Sequence, residues 1–485
     1  CAFKYLFYAF SATLIGCMIG SVIGTLTFPK IIYESWKMLY IEPDMHLYIP
    51  FHLIVIATIS FLIVMCFTTY YVCHQSMKEV PSQLLRPASP KLGKSTFIER
   101  IGFIWNHLSF TWKVTVRNLL RYKRRLIMTV IGVGGCSALM VIGFGIRDSI
   151  NQMVKLQFTD ITHYDGSAKI NSEISSEDKN ALIETVNTDK GVASNLTAVS
   201  YTGIVTFNDE DETVLTQVFE NNAEIEQLYT LRTRKGHQPI PLTDEGIIIS
   251  EKLSEDLNIH VGDAVTIESK KGVRKKVQVS GICEMYIQHY AFISKPLYEK
   301  LFDTTLEDDT MFITCSTDDS TQLQKMLAND SHIDSISFYD VTLENFNQMV
   351  STLNYIIIVL IVSSMALAFV VLGNLMNINI SERQREIATL KVLGFRKKEV
   401  QSYVYKENNV LTLLGSIAGL PLGIAIHHWI MRELQFSYVM YGVDVMPLSL
   451  FLSVILTVAF GILVNLLMRK KLSAIEMVES LKSVE

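Results

Sequence analysis

Thr412-Leu413-Leu414-Gly415-Ser416-Ile417-Ala418-Gly419-Leu420-Pro421-Leu422-Gly423 sets three glycines four residues apart inside a long apolar run. The same ladder occurs near the start of the chain as Thr13-Leu14-Ile15-Gly16-Cys17-Met18-Ile19-Gly20-Ser21-Val22-Ile23-Gly24. Residues at i, i+4 and i+8 share one helix face, and small ones let a neighbouring backbone approach closely. Each ladder, within 5–32 and 404–431, is followed by a short polar loop and a second apolar segment. The sequence therefore carries a duplicated helical hairpin on either side of a large polar block.

Composition places those hairpins in a membrane. Of 485 residues, 49% are hydrophobic and 19% charged, against about a quarter charged in an ordinary soluble domain. A span needs roughly 20 apolar residues. Six stretches qualify: about 5–29, 51–73, 126–147, 353–378, 409–431 and 447–468. Core helices of a soluble protein rarely run so long without charge, so a soluble enzyme is a poor fit and a transport or signalling permease a good one. The expected fold is a polytopic α-helical membrane protein of about six spans with a mixed α/β extracellular domain.

Charge sets the orientation. Segment 72–125 carries 11 Lys and Arg against Glu79 and Glu99, and such an excess in short loops marks the cytoplasmic side. Block 151–345 holds 33 of the 48 acids and is read as translocated. Trp36, Trp105, Trp112 and Trp429 all fall near span boundaries, where amphipathic rings sit. Segments 72–125 and 379–404 and the C-terminal residues are thus expected inside.

The connector opens with a Pro/Ser/Lys/Gly linker from Pro87 to Ser95 and becomes amphipathic over 112–121. There Val116, Leu119 and Leu120 share a face, while Lys113, Arg117 and Arg121 recur every fourth residue. This reads as an interfacial helix feeding the span at Leu126, with Arg121, Lys123, Arg124 and Arg125 as its inner-interface anchor. A generic positive-inside signal is the plainer reading of the same cluster.

In the polar block, alternation predicts strands at 214–219 and 276–282 and helices at 176–186 and 321–327. Asn208-Asp209-Glu210-Asp211-Glu212 reads as a hairpin tip, more a solvated turn than a cation site. Seven cysteines make no disulfide framework. Only Cys283 and Cys315 lie in the block, and spacing alone does not establish a bridge between them.

Several motifs fail on their chemistry. Ala88 to Ser95 resembles a phosphate loop, but Pro87 and Pro90 remove backbone N–H groups and the connector is too short for an ATPase domain. His427-His428 lies at the outer end of a span, where an interfacial role fits better than metal binding, since adjacent helical residues point about 100° apart. No catalytic or metal constellation is expected, nor a nucleic-acid partner.

Ser381-Glu382-Arg383-Gln384-Arg385-Glu386-Ile387-Ala388-Thr389-Leu390-Lys391-Val392-Leu393-Gly394 has the signals of a short capped helix. Ser381 suits the N-cap, Glu382 the positive end, and Gly394 the stop. A simple charged loop remains the alternative.

Arg385 to Gly394 resembles the Arg-Glu-Ile-Gly-x-Leu-[Arg/Lys]-Ala-[Leu/Ile]-Gly signature of FtsX-like, MacB-type ABC transporter permeases, departing at Ala388 and Val392. Gly246-Ile247-Ile248-Ile249-Ser250-Glu251-Lys252-Leu253, followed by Val261-Gly262-Asp263, is similar to a recurring motif of that family's extracellular domain, and 112–125 resembles its elbow helix. The resemblance implies a two-repeat permease. Residues 1–75 would be the last two membrane helices of the first repeat, and 76–125 the basic linker and elbow. The second repeat would comprise a membrane helix at 126–148, an extracellular domain at 149–350 and a three-helix membrane domain at 351–485. An earlier span, external domain, span and charged segment would precede residue 1.

It further implies a coupling helix at about 381–395, with Arg385, Glu386, Ile387, Leu390, Lys391 and Gly394 touching an ABC ATPase dimer. ATP and Mg would be bound by that separate chain, and this chain would have no catalytic site of its own. Gly16, Gly20, Gly24, Gly415, Gly419 and Gly423 would serve helix packing among membrane lipids. The implied function is mechanotransmission at a plasma membrane, exporting or extracting a peptide, lipid or lipoprotein. The alternative is an ATP-driven regulator that activates an extracellular or periplasmic partner such as a cell-wall hydrolase.

Overall fold

Apolar runs of this length form the long helices expected of them. The structure is a computed structural model. It describes residues 2–36, 49–77, 123–316, 320–382, 389, 392–433, 438–442 and 444–467, with 106, 113 and 117 singly. Among the described residues six helices are long and apolar enough to cross a membrane, their apolar parts being Phe3–Thr27, Phe51–Gln75, Leu126–Ile161, Ile357–Ile378, Tyr405–Glu433 and Pro447–Leu467. They belong to α1 (Ala2–Trp36), α2 (Phe51–Met77), α3 (Lys123–Lys155) and three later helices. The expected phosphate-loop decoy at 88–95 lies outside the described residues.

A π-helical turn (Leu156–Ile161) continues α3 and leads into the polar domain. Its elements, in chain order, begin with β1 (Gly166–Ile170), α4 (Ser176–Thr188), β2 (Val192–Phe207), β3 (Glu210–Phe219) and α5 (Asn222–Leu228). Next come β4 (Ile247–Ser250), α6 (Glu251–Leu257), β5 (Ala264–Glu268) and β6 (Arg274–Cys283). The last are β7 (Tyr290–Ser294), α7 (Lys295–Phe302), β8 (Thr310–Cys315), α8 (Thr321–Ala328) and β9 (Ile333–Phe338). Without a loop, β9 passes into α9 (Tyr339–Glu382), followed by α10 (Lys397–Glu433) and α11 (Pro447–Leu467).

The 16-residue β2 organises the sheet because its two halves take different partners. Its C-terminal half pairs with β3 and β5, so that β2, β3, β7, β4, β6 and β5 close into a ring. Its N-terminal half pairs with β8, which continues through β1 to β9. Two apolar cores result. One lies within the ring around Val199, Val205, Ile247, Ile249, Leu253 and Ile293. The other packs Leu182, Val186, Leu323 and Leu327 of α4 and α8 against Ala168, Met311 and Ile313.

Asp309, the residue before β8, bonds to strands of both sheet regions. Its buried carboxylate meets Lys169 Nζ of β1 at 2.7 Å and Lys270 Nζ after β5 at 2.5 Å, and accepts from Ser200 N of β2 at 3.2 Å. Burial opposes the charge, but hydrogen bonds from both lysines outweigh it and hold the Asp309 pKa below the ordinary value. For Lys169 burial prevails over the attraction of the Asp309 carboxylate and lowers its pKa.

Between β2 and β3, Asn208 and Asp209 both have positive φ, 50° and 65°. That is the two-residue turn whose twist matches a hairpin. Asp211 at its flank binds Thr206 Oγ1 and Arg274, leaving the expected acid cluster as a hairpin tip. No disulfide joins Cys283 and Cys315, which end β6 and β8.

By its contacts the chain divides into two compact units: 1–133, 351–415 and 457–485 form one, and 134–350 with 416–456 the other.

Candidate functional site

The second glycine ladder is a backbone contact. A Cβ added at Gly415 would stand 2.7 Å from Val133 Cβ, and one at Gly423 would stand 2.7 Å from Val141 Cβ. At Gly419 it would overlap the carbonyl oxygen of Gly134. Small residues on α3 (Gly134, Ser137, Ala138) meet small residues on α10. Ser137 Oγ seals the contact by donating to the Ser416 carbonyl at 2.9 Å. Hydrocarbon offers no hydrophobic drive between helices, so close van der Waals packing and such hydrogen bonds hold them.

The first ladder differs. Cβ atoms added at Gly16, Gly20 or Gly24 would meet nothing within 4 Å, although α1 and α2 lie side by side.

Polar side chains gather at the outer end of α3. The His427 imidazole lies over Gly145, where an added Cβ would come within 2.6 Å of Cδ2, and its Nε2 is 3.2 Å from Ser149 Oγ. His427 is fully buried and Trp429 is 63% exposed, so the His427-His428 pair is not simply interfacial: one ring turns inward. One residue before Ser149, Asp148 Oδ2 accepts from Met446 N at 2.9 Å and so caps the start of α11. An anion suits that end of a helix.

The π-helical turn carries Gln157, whose buried amide is fully used. Its Nε2 donates to Thr162 Oγ1 at 3.1 Å and its Oε1 accepts from Tyr286 N at 2.8 Å. Tyr286 belongs to the connection between β6 and β7, and the loop between α10 and α11 binds the same connection. Gln288 N donates to the Tyr438 carbonyl at 2.7 Å and Met440 N to the Tyr286 carbonyl at 2.8 Å, with Ile287 and Val439 as antiparallel bridge partners. Gln288 has φ +66°, a left-handed conformation uncommon for a residue with a Cβ.

Charge fixes the connection from below. Tyr286 Oη donates to Glu284 Oε1 at 2.6 Å, and Arg232 Nε donates to Glu284 Oε2 at 2.7 Å. Burial, and then the Glu284 carboxylate, raise the Tyr286 phenol well above its ordinary pKa. Burial pushes the Tyr441 phenol up to about 12. The strap formed by 438–440 thus joins the membrane hairpin to the sheet through neutral, hydrogen-bonded groups.

Of the expected ATPase-coupling residues, Arg385, Glu386, Ile387, Leu390 and Lys391 lie outside the described residues. Gly394 is described, with φ +92° as a helix stop requires, and Leu393 N bonds to the Thr389 carbonyl at 2.9 Å. Beside it Val392, Leu393 and Phe395 are exposed. Of the expected anchor, Arg121 lies outside the described residues; Lys123 opens α3 and is exposed, and Arg124 and Arg125 follow it in the helix. Among the described residues no group of three or more His, Cys, Asp or Glu is placed to hold a metal.

Known proteins resemble the chain in both parts. Residues 358–477 match the FtsX-like permease C-terminal family, and 126–330 the MacB-like periplasmic core domain. This chain belongs with the FtsX-like, MacB-type permeases. The ABC transporter permease MJ1507 of Methanocaldococcus jannaschii is 27% identical over 184 residues, covering 35% of this chain and 44% of that one. The ABC transporter permease YknZ of Bacillus subtilis is 26% identical over 190 residues, covering 36% and 47%. The match thus spans under half the length of each relative.

Two solved structures also align with the permease. The extracellular domain of YknZ from Gram-positive bacteria is 14% identical with a TM-score of 0.24, covering 36% of this chain and 98% of that one. The periplasmic region of MacB from Actinobacillus actinomycetemcomitans is 13% identical with a TM-score of 0.24, covering 39% and 94%. With six long apolar helices among the described residues and an FtsX-like permease match at 358–477, the chain is a multi-pass membrane protein.

Spacing pointed to the glycine ladder but not to the Gln157–Tyr286 or His427–Ser149 contacts. Those pairs are 129 and 278 residues apart, and no local pattern announces them.

Proposed function

We propose that this permease carries ATP-driven movement from a separate ABC ATPase dimer, which binds the ATP and Mg, to its outer domain. Acting as the membrane subunit of a transporter, it exports or extracts a peptide, lipid or lipoprotein. The observation that carries this reading is the strap. Residues 438–440 hydrogen-bond to the sheet domain while the same hairpin packs through Gly419 on α3, so a shift of α10 has a direct mechanical route outward. Exposed Val392, Leu393 and Phe395, beside the segment assigned to ATPase contact, supply apolar surface for docking. Arg385, Glu386, Ile387, Leu390, Lys391 and Gly394 form that contact in this reading.

The test begins with isolation of the protein from its native membrane in mild detergent. An ABC ATPase should accompany it, and Arg385→Glu combined with Lys391→Glu should abolish stimulated ATP turnover. Met440→Pro, which removes one strap donor, should leave ATPase association intact while uncoupling hydrolysis from the outer domain. Unchanged turnover in the charge-reversal variant would remove the coupling assignment.

A further inference from the structure

A cavity of about 440 Å³ opens between α5 and the loop that follows it, within the size range of small-molecule sites, about 300–1,000 Å³. Ile225, Leu231, Ile240 and the buried ring of Tyr229 give it apolar walls, and Pro239 and Pro241 stand at its rim.

Its polar groups share one character. The prolines carry no N–H. The Ile240 N–H is spent on the Leu231 carbonyl at 3.0 Å. The Tyr229 hydroxyl is engaged with Tyr164 Oη at 2.8 Å and that of Thr230 with His163 Nε2 at 2.6 Å. Asn222 turns its oxygen to Leu242 N at 2.7 Å and its nitrogen to Glu226 Oε1 at 2.6 Å. Glu226 is thereby held at the mouth, exposed, and has no cationic partner among the described residues. An ionised carboxylate only accepts hydrogen bonds.

A pocket with apolar walls, committed donors and one negative charge selects its ligand by chemistry. An anion meets the Glu226 carboxylate, which repels it. A cation with an apolar body places its N–H groups on Glu226 and its body against Ile240 and the rim prolines Pro239 and Pro241. We propose that this cavity binds a small organic cation, an ammonium or guanidinium on an apolar body, either as a free amine or as the basic side chain of a peptide.

The test is calorimetric titration of the whole chain in lipid nanodiscs, with empty nanodiscs as the blank. The probes are hexylammonium, hexanoate as its matched anion, and a capped tripeptide with a central lysine. Saturable binding of hexylammonium but not hexanoate is expected. Glu226→Gln should weaken it by about tenfold, the loss of one charge-assisted contact. Pro241→Trp at the exposed rim should abolish it by filling the mouth, with an unchanged melting temperature confirming the fold. Stronger binding of the tripeptide would identify a peptide as the source of the cation, and stronger binding of hexylammonium a free amine. Equal binding of hexanoate, binding indifferent to Glu226→Gln, or no binding of either cation would overturn the assignment.

Discussion

Gly419 of α10 lies against the carbonyl oxygen of Gly134 in α3, so closely that any side chain at position 419 would overlap backbone. Backbone cannot swing aside as the tip of a long side chain can, and the two helices would have to separate.

That relationship distinguishes the two ladders. Gly419→Val is expected to cost about 1–3 kcal/mol, the usual penalty of overpacking, and to lower the unfolding temperature of the purified protein. Gly20→Val, at the corresponding step of the first ladder, meets nothing within 4 Å and should shift stability by no more than about 0.5 kcal/mol. Equal effects at both positions would contradict the close contact.

The Gly145–His427 pair lends itself to a size exchange. Gly145→Val intrudes on the imidazole, and His427→Ala restores the room while giving up the Ser149 contact. Each single variant should be less stable than the parent. The double variant should recover part of the loss, with an interaction energy of about 0.5–3 kcal/mol in a double-mutant cycle. Strict additivity would mean that the two do not touch.

Cysteine pairing can report on the strap. Ile287 and Val439 are bridge partners flanked by the Gln288–Tyr438 and Met440–Tyr286 hydrogen bonds, the arrangement in which antiparallel Cα atoms approach to about 4.5 Å. Ile287→Cys with Val439→Cys should therefore form a disulfide under mild oxidation, detected as a mobility shift reversed by reductant. If the strap moves with the sheet, ATP turnover should survive the cross-link; arrest on oxidation and recovery on reduction would show that the strap must detach.

Asp309 sets an acid limit on stability. Its folded pKa lies below the unfolded value of about 3.9, so its contribution is fully present above that value and is lost as pH falls through the folded pKa. Asp309→Asn should cost about 1–3 kcal/mol at neutral pH and flatten the fall in melting temperature between about pH 5 and the folded pKa. A variant with the parent's acid slope would place that slope on other carboxylates.

The membrane helices were legible because length and lack of charge suffice to identify them, and the 208–209 hairpin because Asn-Asp tolerates positive φ. The closed ring was not. It depends on β2 dividing its partners near Ala198 and Val199, and alternation looks the same on either side of that point. Nor was the strap, since Tyr438 and Met440 pair through backbone atoms, which leave no mark on residue type. The His427-His428 pair shows the same limit in a helix. Burial of one ring and not its neighbour depends on which helix face meets α3, and that became visible only with Gly145 in place.

β9 enters α9 with no intervening loop, and α9 then runs for 44 residues without a proline. At 1.5 Å per residue such a rod is about 66 Å long, roughly twice the hydrocarbon thickness of a bilayer. In the proposed mechanism a helix of that length, joined directly to a strand, would serve as a lever. Tilting it by about 10° about its inner end sweeps the outer end through about 11 Å. That distance exceeds two interstrand spacings of about 4.8 Å, so in the proposed mechanism a small change in helix angle would suffice to displace β9.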